Sequence, residues 1–397
     1  MTESREAEGA QNDPQRSQQP RWFDEQPVTA FFAGEQTVSG EVTGTLTGSG
    51  TEWADEVVRS IGVGEYAVAA IDFEPAGPGV AQLIRPREID LECPARCIEV
   101  RHSVVERPTA EEYASNVRVA LDRIGEGSLR KVVLGRGLDV ISDPPLSWVE
   151  VLGGLLRDRP GRYVFSMPLA DSIAAPGDTA TTESAPQLIG ASPELLVRRT
   201  GRSVVSLPLA GSVPRADDPV EDRERAEALL HSVKDLAEHA FVVDEIVAAL
   251  APICSAIVAD PAPRLVSTDT LHHLGTQIRA ELLDPADTAG TAPARRPSAL
   301  HLAQLLQPTP AVGGVPRQAA LDVIAELESD RGPLTGAVGW VDGNGDGEFA
   351  VTIRAGVLDG ARLRLYAGAG IVAGSDPESE VRETGAKLAT MLKAVGI

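Results

Sequence analysis

Four carboxylates stand in two pairs of identical spacing. Asp235 and Glu238 lie in Lys234-Asp-Leu-Ala-Glu-His239, and Glu380 and Glu383 lie near the C-terminus, with Lys387 four residues further on. Residues three or four apart share a helix face, so each pair presents its oxygens side by side. Val381, Leu388 and Leu392 fall on another face of the second helix and can pack inward. Two such acid faces can be nothing more than solvated helix surfaces, because acids are mostly exposed. They can also converge on Mg²⁺, which takes oxygen ligands, keeps several waters and binds through one or two carboxylates plus the substrate. The acids alone leave both readings open.

Other arrangements are weaker. Gly368-Ala-Gly-Ile-Val-Ala-Gly374 follows a strand pattern and precedes a helical one, as a dinucleotide loop does, but only 23 residues separate Gly374 from the end at Ile397. The second strand with its ribose-binding acid has no room. Asp342-Gly-Asn-Gly-Asp-Gly347 opens like a calcium loop, yet its twelfth position is Ile353 and its flanks read as strands, so a hairpin turn explains it better. Cys93-Pro-Ala-Arg-Cys97 lacks the second pair that a zinc tetrad needs. Neither a Gly-x-Ser-x-Gly elbow nor a phosphate-binding Gly-x-x-x-x-Gly-Lys loop is present.

The elements that must position these residues are mixed. Thr109-Ala-Glu-Glu112 is a capping box opening a helix with the apolar stripe Tyr113, Val117, Ala120, Leu121 and Ile124. Arg130–Val140 alternates as a strand, with Val132, Leu134 and Leu138 on one face and Lys131 and Val133 on the other. Leu188–Arg198 and Arg202–Leu209 read as a strand pair, and Glu221–Leu250 as one long helix. Gly336–Asp342, Phe349–Leu358 and Arg362–Ala367 read as a meander joined by Gly- and Asp-rich turns. Ser375-Asp-Pro-Glu378 reads as the capping box of the last helix. Strands joined by short turns imply antiparallel sheet, hence an α+β class.

Composition narrows the partners. The chain carries 36 basic and 58 acidic residues, a net charge of −22, which argues against a nucleic-acid or anionic-membrane partner, since both need clustered cations. An anionic substrate must then be held by a few local cations or by a metal that carboxylates recruit. Three cysteines, Cys93, Cys97 and Cys254, imply no disulfide framework and suit a reducing cytoplasm. No run of about 18 apolar residues could span a membrane. Residues 1–20 read as a disordered tail without a signal sequence. Asp171–Pro186 and Asp284–Pro297, rich in Ala, Thr, Pro and Gly, read as surface insertions in one domain over 21–397.

From residue 105 onward an ordered series of motifs resembles the chorismate-binding (chorismate-utilising) enzymes. They are Lys131-Val-Val-Leu-Gly-Arg136, Gly190-Ala-Ser-Pro-Glu-Leu195, Pro208-Leu-Ala-Gly-Ser212 and Lys234-Asp-Leu-Ala-Glu-His239. His273-Leu-Gly-Thr276, Pro308-Thr-Pro-Ala-Val312, Val351-Thr-Ile-Arg354, Ala367-Gly-Ala-Gly-Ile371 and Arg382-Glu-Thr-Gly-Ala-Lys387 continue it. Before that, only Ala67-Val-Ala-Ala-Ile-Asp-Phe73 is similar, to the family's early strand. The resemblance implies one domain of two antiparallel β-sheets packed together with helices outside. It implies that Glu238 and Glu383 hold Mg²⁺ against the substrate's ring carboxylate, with Asp235 and Glu380 as nearby second acids. Arg354, Lys387, and backbone at Gly368 and Gly370 then hold substrate carboxylates, and Ala210, Gly211, Ser212, His273, Thr276 and Ala311 complete the substrate site. Lys131 and Glu194 become the base and the acid: water attacks one ring carbon while a hydroxyl leaves another, which needs a neutral amine and a protonated carboxyl.

The branch follows from departures within those motifs. Ala210 stands where the aminodeoxychorismate branch carries a nucleophilic lysine, and Ser212-Val-Pro-Arg215 lacks the pattern of the anthranilate branch. No glutaminase partner is therefore expected, and water is the nucleophile, converting chorismate to isochorismate. Ala311 stands where salicylate-forming members carry a hydroxyl residue. Gln307, where a histidine is common, and His272, where an aromatic is, put turnover and substrate packing in question. A non-catalytic acidic binding protein would have no use for Lys131 and Glu194 together. The resemblance points to a monomer.

Overall fold

The computed structural model describes residues 28–89, 101–158, 162–170, 185–284 and 296–394. The expected tail over 1–20, the Cys93 and Cys97 pair, and most of the two expected insertions lie outside them. Strands and helices are numbered in chain order.

Every ladder of the main sheet is antiparallel, and the sheet has two arms. The first runs through β12 (Cys254–Ala259), β15 (Ile278–Leu282), β10 (Ser203–Leu207), β9 (Leu195–Thr200) and β18 (Gly347–Val351). It continues through β17 (Ala337–Asp342), β3 (Tyr66–Ile71) and β4 (Gly79–Pro86) to β2 (Thr37–Gly48). The second arm starts at β1 (Thr29–Ala33) and passes through β7 (Tyr163–Pro168), β8 (Gln187–Ser192), β19 (Ala355–Asp359) and β20 (Arg362–Val372) to β6 (Lys131–Asp143). The outer edge of β6 carries β16 (Gly314–Val315) at one end and β5 (Arg101–Arg107) at the other. The β1–β2 ladder, Thr29 opposite Glu41 through Ala33 opposite Thr37, joins the arms. A separate sheet holds β11 (Leu209–Pro214), β14 (Leu271–Gly275) and β13 (Arg264–Ser267).

Both arms contribute to one apolar cluster, with Val68, Ile84, Val338 and Trp340 from the first and Phe32, Phe165, Met167 and Leu188 from the second. Helices cover the outside. Those are α1 (Gly50–Ser60), α2 (Ala110–Gly125), α5 (Val233–Leu250), α6 (Ala299–Leu306) and α7 (Arg317–Leu327), which meet in a second cluster through Trp53, Val117, Val242, Leu302 and Ile324. On the far arm, α3 (Trp148–Asp158) and α8 (Pro377–Ala394) supply Leu152, Leu155, Leu388 and Met391 against Val140, Ile189 and Leu365. The small sheet is backed by α4 (Pro219–His231). The α+β class with two packed antiparallel layers is what forms, and the layers are continuous through β1 and β2.

Four local expectations change, each for a nameable reason. The helix expected over Glu221–Leu250 is two helices, because Ser232 takes extended torsions (φ −70°, ψ 111°) and its side chain accepts from the Asp235 N–H to cap α5. Serine favours that cap over a helix interior. The last helix is capped by Asp376, whose carboxylate accepts from Ser379 N at 2.8 Å, while the Ser375 hydroxyl accepts from Val372 N. Leu188–Arg198 divides at Pro193-Glu194 into β8 on one arm and β9 on the other. Phe349–Leu358 divides at Thr352–Arg354 into β18 and β19, with Arg354 in the left-handed region (φ 52°), so the meander does not form. These two crossovers between arms bond each other: Ala191 N–H donates to Arg354 O at 3.0 Å, and Val351 N–H to Glu194 O at 3.2 Å.

Candidate active site

Where the chain crosses between arms, a cleft of about 720 Å³, its open mouth included, is walled by Glu194, Arg354 and their surroundings. Glu194 is 2% exposed, and its Oε1 accepts from Leu209 N at 3.3 Å. Burial pushes its carboxyl up to about 7, against the opposing pull of the Leu209 N–H and the Lys131 and Lys387 charges. A proton on Glu194 near neutrality is what a general acid needs.

Lys131 opens β6 with its side chain entirely buried, and its Nζ lies 2.9 Å from Glu238 Oε1 on α5. The contact is ionic, since the amine makes no well-directed hydrogen bond. Gly370, on the neighbouring strand β20, leaves room for this pair: a Cβ there would sit 2.1 Å from Glu238 Oε1 and 3.2 Å from Lys131 Cε. Gly370→Ala is expected to displace both side chains and lower turnover on the order of 10²-fold. A kcat within threefold of the parent, in protein of unchanged melting temperature, would show that the pair is not pinned there.

Of the expected substrate residues, Ala210, Gly211, Ser212, His273, Ala311, Arg354, Gly368, Gly370 and Lys387 all line the cleft. Gly211 has φ 75°, and a Cβ there would press on Asp235 Cβ at 2.9 Å. Burial, then the charges of Arg354 and Lys387, hold His273 well below the usual imidazole range, so it is neutral, with Nε2 3.5 Å from an Arg354 nitrogen. Lys387 Nζ donates to Gly368 O at 2.9 Å and to Glu383 Oε1 at 2.6 Å. Thr276 is the exception. It is not among the lining residues, and its hydroxyl pairs with His239 Nε2 at 2.7 Å.

The four acids divide in the same way. Glu238 and Glu383 line the cleft, and Asp235 and Glu380 do not. Glu383 accepts from Ser212 Oγ at 3.1 Å, and although burial acts to raise its carboxyl, Lys387 and Ser212 hold it below the usual range. Asp235 is bonded to Ser232, and Glu380 to Lys234 Nζ at 3.3 Å. Burial raises both, and charge among the acids adds to it, Glu238 and Glu383 acting on Asp235 and Glu383 on Glu380. Among the described residues no three His, Cys, Asp or Glu side chains form a ready metal cluster. Each acid faces a lysine or a serine instead.

The two departures separate as well. His272 faces away from the cleft lining, with Nε2 3.0 Å from Asp222 and Nδ1 2.8 Å from Ser267. Gln307 donates to Thr335 O, and Thr335 does line the cleft, in the left-handed region at φ 63°. Sequence reasoning missed Thr335, Val312 and Tyr366. Tyr366 was within reach, because side chains alternate along a strand and it shares a face with Gly368 and Gly370.

The sequence profile of the chorismate-binding enzymes matches residues 87–396. This chain belongs to the chorismate-binding enzyme family. It is 41% identical over 365 residues to the isochorismate synthase DhbC of Bacillus subtilis, covering 89% of this chain and 86% of the relative. It is 43% identical over 296 residues to a putative isochorismate synthase of Aeromonas hydrophila, covering 74% of this chain and 69% of the relative. Among solved structures it superimposes, at TM-score 0.80 and 37% identity, on a putative 2,3-dihydroxybenzoate-specific isochorismate synthase from Bacillus anthracis, with 92% and 95% of the two chains covered. The profile match begins after β1–β4, in keeping with the weaker motifs there, while the structural match spans most of both chains. Among the described residues no helix is long and apolar enough to cross a membrane.

Proposed function

We propose that this family member is an isochorismate synthase, adding water to C2 of chorismate with loss of the C4 hydroxyl. The observation that carries the reading is a buried acid, Glu194, raised to about 7, on the wall of a cleft that presents Arg354 and Lys387, with Lys131 behind that wall within electrostatic reach. Released from Glu238 and in its neutral form, Lys131 takes the proton from the attacking water, and Glu194 delivers one to the departing hydroxyl. Arg354 and Lys387 orient the substrate's carboxylates, and neutral His273 adds a hydrogen-bonding edge without charge. The names of the relatives support the same reaction.

Mg²⁺ fits the donor set: four oxygen ligands by type, two on the cleft wall and two behind, repelling one another. Glu238 and Glu383 would hold it, with Asp235 and Glu380 as outer partners, and bound there it would supply positive charge to a substrate carboxylate. Lys131 and Lys387 would exchange their present carboxylate partners for that arrangement.

The test is the product. With chorismate and Mg²⁺ near neutral pH, chromatography is expected to show isochorismate approaching an equilibrium with chorismate, and the reverse reaction is expected to run. Exchange of one hydroxyl position for another favours neither side strongly. Added ammonium is expected to give little amine, because Ala210 offers no nucleophile and nothing marks an ammonia site. Pyruvate is expected to stay at background, since Ala311 places no hydroxyl at the ring. Salicylate and pyruvate formed in equal amounts at enzymatic rates would move the chain to the salicylate-forming branch, and 2-amino products to the anthranilate branch.

A further inference from the structure

One edge of β6 is fully paired, with β20 opposite every residue from Lys131 to Ile141. The other edge is not. There β16 covers Lys131 and Val132, β5 covers Gly137 to Asp143, and no strand lies beside Val133–Arg136. Unpaired backbone in a buried sheet is costly, so its partners must be found. Val133 N–H donates to Gly313 O at 2.7 Å. Two more groups on this edge go to side chains: Val133 O accepts from Arg331 Nη2 at 2.8 Å, and Gly135 N–H donates to Glu328 Oε1 at 2.8 Å.

Glu328 and Arg331 are themselves an ion pair, with Nε–Oε2 at 2.9 Å and Nη2–Oε1 at 3.0 Å, and their side chains are 3% and 1% exposed. Arg331 Nη1 reaches Val312 O at 2.8 Å and Thr335 Oγ1 at 3.4 Å. All five guanidinium N–H groups are thereby engaged. The guanidinium also lies 4.3 Å from the Phe73 ring centre and 5.1 Å from that of Tyr366. Tyr366 donates its hydroxyl to Glu328 Oε2 at 2.5 Å. That phenol has space only because residue 135 is glycine, where a Cβ would meet it at 2.4 Å.

We propose that Glu328 and Arg331 are a positioning pair that substitutes for the missing strand beside β6 and holds Lys131's strand, Val312, Thr335 and Tyr366 in register around the cleft. Neither residue lines the cleft, whereas Val133, Val312, Thr335 and Tyr366 all do. The pair therefore acts through others. A buried ion pair is seldom the most stabilising filling for its space, and fixing a register is its best-attested use. What the register serves rests on the isochorismate synthase reading: an amine displaced by about 1 Å costs roughly 10² in rate.

Arg331→Lys keeps the charge but has three donors and no plane, and Glu328→Gln keeps the shape but puts an amide where the carboxylate accepts four hydrogen bonds. Each is expected to lower kcat by roughly 10–100-fold with KM within threefold, and to speed amide exchange over residues 131–137. Tyr366→Phe, which removes one hydroxyl and leaves the fold safe, is expected to lower kcat by three- to tenfold. Glu348→Gln is the control: its carboxylate is as buried as that of Glu328, at 1% exposure, and it pairs with the half-buried Arg198 away from the cleft. It is expected to lower the melting temperature while leaving kcat unchanged. Variants of Glu328 and Arg331 with kcat within threefold of the parent overturn the proposal, as does a kcat loss no greater than that of Glu348→Gln at equal loss of melting temperature. A parent that makes no isochorismate overturns the functional reading instead. Exchange over 131–137 then still decides the pair's role, faster exchange in both variants supporting the completed edge and unchanged exchange overturning it.

Discussion

Glu194→Gln lowers turnover by roughly 10²–10⁴ and leaves the fold intact. Glutamine keeps an oxygen for the Leu209 N–H, fills the same volume and carries no charge that burial would penalise. What it loses is the transferable proton. Because burial raises the Glu194 carboxyl to about 7, the protonated form that serves as acid disappears as pH rises through that value. The parent's kcat/KM, which reports the free enzyme, is therefore expected to fall on the alkaline side with an apparent pKa near 7, and the residual kcat/KM of Glu194→Gln is expected to lack that limb. Lys131→Ala is expected to lose a comparable factor in turnover. It also strips Glu238 of its cation, and breaking a buried pair costs about 3–5 kcal/mol, so its melting temperature must be read beside its rate. Steady-state kinetics from pH 5.5 to 9, about the range over which a pKa of 7 is resolved, settle both points. Near-parental rates in either variant remove that residue from the chemistry.

The residues of the candidate site were legible to different depths. Glu238 and Glu383 were visible because spacing along a helix is local, and three positions put Asp235 beside Glu238 whatever else surrounds them. Their present partners were not visible, since Lys234 meets Glu380 across 146 positions of sequence. Glu194 and Arg354 were found through motifs but misplaced in the fold, each read into the interior of a continuous strand. Both arms bury apolar side chains, so the hydrophobic pattern runs unbroken through a point where the chain leaves one arm for the other. Arg354 at φ 52° marks such a point, and an arginine carries no signal for that torsion as a glycine would. The break at Ser232 escaped for a related reason. One extended residue between two helices barely disturbs an apolar period, although the serine itself was the cue. The Glu328–Arg331 pair is the deepest omission. Its three-residue spacing looks like any exposed helical ion pair, and only the gap on β6 gives it a purpose.

Chelation of divalent ions is expected to abolish turnover, and Mg²⁺ to restore it. Glu238, Glu383, Asp235 and Glu380 gather negative charge at one side of the cleft, where burial and their mutual repulsion hold Asp235 and Glu380 above the usual carboxylate range. Lysines now answer part of that charge, Lys131 at Glu238, Lys387 at Glu383 and Lys234 at Glu380. An anionic substrate brings more negative charge, and beyond Lys387, already set against Glu383, the cleft wall adds the one positive charge of Arg354. A divalent cation on Glu238 and Glu383 closes the balance with oxygen ligands of the type Mg²⁺ prefers. Glu238→Ala and Glu383→Ala remove the two acids on the cleft wall, so excess Mg²⁺ is expected not to rescue them. Calorimetric titration gives a readout independent of turnover: Mg²⁺ is expected to bind the parent in the presence of chorismate, and at least tenfold more weakly to either variant, as loss of one charged ligand should cost on the order of 1.4 kcal/mol or more. Undiminished activity in metal-free buffer, or Mg²⁺ binding unchanged by both substitutions, would rule out these carboxylates as the metal site.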